Sequence, residues 1–94
     1  MGLRRTPEGY DEIMDAAEQA RRDGDIGVLE YWRIKQRCRN EDVCREVREA
    51  IMHEAHAAKI PMAAGPNGAI DWSKLLEFIK QLIPLILQLV SLFK

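Results

Sequence analysis

Residues 70–94, IDWSKLLEFIKQLIPLILQLVSLFK, hold most of the large aliphatic side chains of this 94-residue chain and decide its fold. Placed at about 100° per residue, these side chains separate into an apolar and a polar face, as in an amphipathic helix. The apolar face spans roughly 220°, about twice the width that a surface helix buries. We therefore predict a long C-terminal helix whose contacts run along the middle of this face. The predicted contact residues are Trp72, Leu75, Phe78, Ile79, Leu82, Ile86, Leu89 and Phe93.

One proline interrupts this predicted helix. Pro84 falls in the middle of the polar sector and leaves the carbonyl of Lys80 without its helical hydrogen bond. A proline kink bends a helix away from the proline side, so the apolar face becomes concave. A concave face suits a protein core or a neighbouring helix better than a flat bilayer.

Three shorter amphipathic helices are predicted to form a small bundle before this segment. The first begins at Thr6-Pro7 and ends near Asp23-Gly24, the second runs to about Arg39 with Asp25 as its N-cap, and the third covers residues 41–59. Asn40 is the predicted N-cap of the third helix. The predicted apolar side of the second helix consists of Val28, Leu29, Tyr31, Trp32, Ile34 and Cys38.

A Pro/Gly-containing segment separates these helices from the last one. Residues 60–69 contain two prolines and two glycines, which is typical of a linker, and Asp71 is the predicted N-cap that follows. We therefore predict an all-α protein with a three-helix body at 1–59, a linker at 60–69 and an association helix at 70–94. On this division, a chain truncated after Gly68 should retain a helical body.

The N-terminal residues predict the location of the protein, and the location predicts the redox state of its two cysteines. No apolar stretch follows the N-terminal charges, so no secretory signal is predicted, and we expect a location in the cytoplasm or within a particle. Reduced thiols are then the default for Cys38 and Cys44, with a disulfide across the interhelical turn as the alternative. The N-terminus also matches the M-G-x-x-x-[ST] pattern for myristoylation of Gly2.

Catalytic and metal-binding patterns are missing from the sequence. His53 and His56 fall on the outer side of the third helix while Cys44 faces the core, so no metal site is predicted within one chain. The sequence contains no Ser/His/Asp set, paired catalytic carboxylates, phosphate loop or dinucleotide fingerprint. We therefore predict a non-enzymatic protein with no cofactor and no small-molecule substrate.

A basic region between residues 33 and 48 favours one alternative, nucleic-acid binding. Against it, 14 Lys and Arg residues balance 15 Asp and Glu residues in the whole chain, and acidic residues interleave with the later cations. The basic residues are Arg33, Lys35, Arg37, Arg39, Arg45 and Arg48.

The predicted function depends on what packs against the apolar face of the C-terminal helix. The first three helices are rich in alanine and should cover about half of it, which favours self-association or docking into a larger assembly such as a virion or other particle. The alternative to assembly through this helix is a peripheral membrane-associated or membrane-active protein that uses the same helix. The charge-free stretch 81–93 makes only about 20 Å of helix, short of the ~30 Å hydrocarbon core, so a spanning helix is not predicted.

Overall fold

The computed structural model describes residues 7–60 and 72–92, and over these residues the chain is all-α, as predicted. Predictions for Gly2, Thr6, Asp71, Phe93 and most of the linker fall outside them. The helices are α1 (Tyr10–Arg22), α2 (Val28–Cys38), α3 (Glu41–Ala57), a 3₁₀ turn (Trp72–Leu75), α4 (Leu76–Gln81) and α5 (Ile83–Ser91).

Helix α1 begins at Tyr10, later than the predicted start. Gly9 precedes it with a φ of 80°, in the left-handed region that favours glycine. The Tyr10 backbone N–H donates to the Pro7 carbonyl at 3.0 Å, so that residues 7–10 form a turn. The predicted start is wrong because Pro7 lies in this turn and not in the first turn of the helix.

The prediction of Asp25 as the N-cap of α2 is also wrong. Gly24 has a φ of 83°, and the Asp25 N–H donates back to the Ala20 carbonyl at 2.8 Å, so this part of the chain terminates α1. Gly27 is the N-cap of α2, and its N–H donates to the Glu30 carboxylate at 2.7 Å. The earlier turn therefore delays the start of α2 by two residues.

Helix α3 has the predicted N-cap. The Asn40 side-chain oxygen accepts from the backbone N–H groups of Asp42 at 2.8 Å and Val43 at 3.3 Å. These two bonds satisfy amide groups that have no partner within the helix. Local sequence is sufficient to predict this N-cap, because the cap involves only neighbouring residues.

The C-terminal segment is divided where the sequence predicts one kinked helix. Leu82 lies between α4 and α5 with φ −92° and ψ 0°, and its N–H donates to the carbonyls of Phe78 and Ile79. Pro84 is in the first turn of α5, where the N–H that proline lacks would have no helical partner. The proline therefore stands at a helix start instead of inside a continuous helix.

The C-terminal segment forms part of the same core as the first three helices. Helix α4 packs against α1, and α5 packs against α2 and α3. Three alanines of α1 are fully buried, which gives α1 a flat face for this packing. The Lys80 ammonium pairs with the Asp23 carboxylate at 2.9 Å, and this hydrogen bond raises the pKa of Lys80. Fully or almost fully buried core side chains include Ile13, Ile34, Val47, Ile51, Leu75, Ile79, Ile83, Ile86 and Val90.

Candidate association surface

The structure divides the predicted contact line of the C-terminal segment into two groups. Four of its members, Trp72, Leu75, Ile79 and Ile86, are buried in the core of the same chain. The chain's own helices therefore cover these side chains. The other described members are Phe78, Leu82 and Leu89, which are half-buried.

A second line of leucines runs along α5 beside the buried one. Leu85 is 37% exposed and Leu92 is 78% exposed, and they alternate with the half-buried Leu82 and Leu89. We call these four residues the leucine stripe. Their successive spacings of three, four and three residues are those of the a and d positions of a coiled-coil heptad.

The width of the apolar face explains why α5 carries two apolar lines. Ile83, Ile86 and Val90 make the buried line, and the leucine stripe lies roughly 100° from it around the helix. A helix nine residues long packs one side onto the body and leaves the adjacent side at the surface. The face predicted from the sequence is therefore half covered by the chain itself.

Helix α2 carries a separate set of exposed apolar side chains. Val28 is 54% exposed, Leu29 82% and Trp32 46%, whereas Ile34 and Cys38 are buried. We call the three exposed residues the α2 outer face. The predicted single apolar side of α2 is wrong, because only the sector of Ile34 and Cys38 faces the other helices.

The basic residues between 33 and 48 do not form one surface. In α3, Arg45 pairs with Asp42 at 3.2 Å and Arg48 pairs with Glu41 at 2.8 Å. In α2, the Lys35 ammonium lies 4.7 Å from the centroid of the Trp32 ring. The α3 cations are therefore engaged by acidic neighbours, whereas in α2 Lys35 lies over the exposed tryptophan and the Arg33 guanidinium donates to the Ser91 hydroxyl at 3.5 Å.

Both cysteines are free and buried, Cys38 at the end of α2 and Cys44 in the first turn of α3. Burial raises the pKa of the Cys38 thiol to about 12, and burial also raises the pKa of Cys44. Both groups are thus protonated thiols at neutral pH, a form that neither attacks electrophiles nor binds metals well. Within residues 7–60 and 72–92, no three His, Cys, Asp or Glu side chains cluster closely enough to hold a metal ion.

No helix in the described part of the chain has both the length and the apolar character needed to cross a bilayer. A comparison with protein-family models finds no match. Comparisons with curated proteins and with solved structures find none either.

Proposed function

We propose that this chain is a non-enzymatic association protein whose leucine stripe packs against the same stripe of a second copy. The observation that carries the proposal is the heptad spacing of Leu82, Leu85, Leu89 and Leu92, of which Leu85 and Leu92 are exposed and Leu82 and Leu89 are only partly covered by the body. The buried line of α5 holds the segment on its own body, and the stripe provides the contact between copies.

The spacing of the stripe favours a helix as its partner. Side chains that alternate three and four residues apart present a straight ridge, and another helix receives such a ridge as knobs in holes. Residues 82–92 span about 15 Å, and the four leucines of the stripe provide four successive layers of such contacts. A flat or irregular partner surface has no regular holes to receive side chains at this spacing.

Charge favours a second copy as that helix. Helix α5 contains no charged residue, so two copies of it bring no like charges together in either a parallel or an antiparallel arrangement. The whole chain has a net charge of −1, which adds little repulsion between copies. A two-fold contact also needs only one self-complementary surface per chain, and a continuous leucine ridge is self-complementary.

Size-exclusion chromatography with light scattering tests this proposal on the full chain. We expect a dimer, and we expect Leu92→Glu or Leu85→Glu to shift it to monomer, because each places a charge within the contact. Both leucines are exposed in the single chain, so the helix content should not change. Ser73→Glu adds the same charge at an exposed site on the 3₁₀ turn, outside the stripe, and should stay dimeric. A dimer that is indifferent to both leucine substitutions would refute the stripe as its interface.

A further inference from the structure

The α2 outer face has a chemical character that the leucine stripe lacks. Its three apolar side chains, Val28, Leu29 and Trp32, are exposed on a helix that also carries cations. The Tyr31 ring meets the Trp32 ring edge-on at 6.1 Å, and the Lys35 ammonium lies 4.7 Å from the Trp32 centroid. An exposed indole is thus held in a fixed position beside a positive charge.

The cations flank the apolar side chains around the helix. At about 100° per residue, Lys35 lies on one side of the Val28–Trp32–Leu29 sector and Arg33 lies on the other. Arg39, the C-cap residue, falls on the same sector one turn beyond. The exposed face of α2 therefore has an apolar first part, Val28, Leu29 and Trp32, which is followed by Gln36 and Arg39 and has a basic border at Arg33 and Lys35.

Nearby acidic groups do not cancel this border. The only acidic residue of α2 is Glu30, whose carboxylate accepts the hydrogen bond from the Gly27 N–H. The acids that follow in the first turn of α3, Glu41 and Asp42, pair with Arg48 and Arg45. Helix α2 and its C-cap thus carry the cations Arg33, Lys35, Arg37 and Arg39 against the single acid Glu30, although the whole chain is almost neutral.

We propose that the α2 outer face docks onto an anionic lipid bilayer, with Val28, Leu29 and Trp32 inserted at the headgroup level. Apolar and aromatic side chains with a basic border are the composition of helices that lie in a membrane interface. Tryptophan is enriched at that depth, and lysine and arginine at the border attract anionic headgroups. The 11 residues of α2 lie parallel to the bilayer surface in this arrangement.

Two features favour a bilayer over other partners. The most exposed side chain is Leu29, an aliphatic group that finds no apolar environment among the phosphates of a nucleic acid. A second copy of α2 would bring its own basic border against the first, which opposes self-pairing here. A bilayer surface instead provides both an apolar interior for Val28 and Leu29 and negative charge for Arg33 and Lys35.

Vesicle flotation with the full chain tests the proposal. We expect binding to vesicles that contain roughly one-third phosphatidylserine, weak binding to pure phosphatidylcholine, and loss of binding as the salt concentration rises. The double variant Arg33→Gln/Lys35→Gln should weaken the anionic binding by about tenfold or more. The matched variant Arg22→Gln/Lys74→Gln removes two exposed cations elsewhere and should bind as the parent chain does.

The apolar half of the surface is tested in the same assay. Leu29→Gln and Trp32→Gln should each weaken binding, with circular dichroism unchanged because both side chains are exposed in the folded chain. Tryptophan emission should shift to the blue on binding, and Trp32→Phe should bind vesicles without that shift, since Trp72 is buried.

Three outcomes would overturn the proposal: no binding to anionic vesicles, equal binding to both lipid compositions, or binding that survives the α2 substitutions. Oligonucleotide binding that depends on the same residues, without vesicle binding, would assign the surface to nucleic acid instead. Vesicle binding and oligonucleotide binding both report on the α2 outer face alone. The leucine stripe is tested separately by Leu85→Glu.

Discussion

The Trp72 indole N–H donates a hydrogen bond to the Glu8 carboxylate at 2.8 Å and so joins the start of the C-terminal segment to the residues before α1. The carbonyl of Glu8 accepts from the Arg48 guanidinium at 2.9 Å, which adds α3 to the same junction. The ring of Trp72 also lies close above Gly9, where an added Cβ would come within 3.3 Å of it. This junction holds the start of the C-terminal segment on the body.

Substitution of Gly9 should test the junction. Gly9→Ala forces alanine into a left-handed conformation and against the Trp72 ring, and should lower the free energy of unfolding by about 2 kcal/mol. Gly24→Ala has the same backbone penalty but meets no atom within 4 Å, and should lower it by only about 1 kcal/mol. Urea denaturation measures both. Equal losses would show that the Trp72 contact adds nothing.

Loss of the Trp72–Glu8 hydrogen bond alone should lower the free energy of unfolding by less than Gly9→Ala does. Trp72→Phe retains an aromatic ring in the core but removes both the N–H donor to Glu8 and part of the buried indole, so we expect a loss of about 2–3 kcal/mol, of which the hydrogen bond accounts for about 1 kcal/mol. In a Glu8→Ala background the same substitution should be less destabilising, because its partner is already missing. A double-mutant cycle with no coupling between the two positions would contradict the contact.

The C-terminal segment should be required for folding of the body. Truncation after Gly68 removes Leu75, Ile79, Ile83, Ile86 and Val90 from the core, and circular dichroism should then show loss of cooperative unfolding. This reverses the expectation from the sequence that residues 1–68 retain a helical body. Within the full chain, Ile79→Ala should cost about 2–4 kcal/mol and Leu92→Ala less than about 0.5 kcal/mol in the monomer.

Stability should fall at alkaline pH because of the buried thiols. Burial raises the pKa of Cys38 from 9.0 to about 12, so between these values the unfolded chain loses the thiol proton and the folded chain retains it. The free energy of unfolding should therefore fall with rising pH in this window, by about 1.4 kcal/mol per pH unit for Cys38. Below pH 9 the Cys38 thiol should contribute nothing to the pH dependence of the free energy of unfolding.

Denaturation under reducing conditions at several alkaline pH values measures this slope. Cys38→Ala lowers stability at every pH through the cavity it leaves, but its slope should be shallower than that of the parent chain. The slope, rather than the absolute stability, is the test. Identical slopes in the two proteins would contradict a perturbed Cys38.

Asn40 and Leu85 illustrate what could and could not be predicted from the sequence. The cap at Asn40 involves atoms two and three residues away, so local sequence was sufficient to predict it. The all-α class follows equally from helical periodicity. Whether Leu85 or Ile86 is covered depends on where α2 and α3 lie, and no local pattern contains that information. The sequence therefore predicted the apolar excess of α5 but not which half of it the body covers.

The same reason applies to α2 and to the junction at Trp72. Val28 and Trp32 are as apolar as Ile34, and only the packing of α2 against its neighbours decides which of them face outward. The partners Glu8 and Trp72 are 64 residues apart, and no sequence spacing relates them. Tertiary contacts therefore decide which side chains of α2 are exposed and bring Glu8 to Trp72, and neither could be predicted from local sequence.

Sedimentation equilibrium of the full chain over a dilution series tests the central claim most directly. If the leucine stripes pair, the apparent mass should rise with concentration from 10.8 kDa toward twice that value. The double variant Leu85→Glu/Leu92→Glu should weaken the dimer by roughly 2–4 kcal/mol, about 30- to 1,000-fold in Kd. A parent chain that stays at 10.8 kDa at every concentration would contradict the proposed self-association.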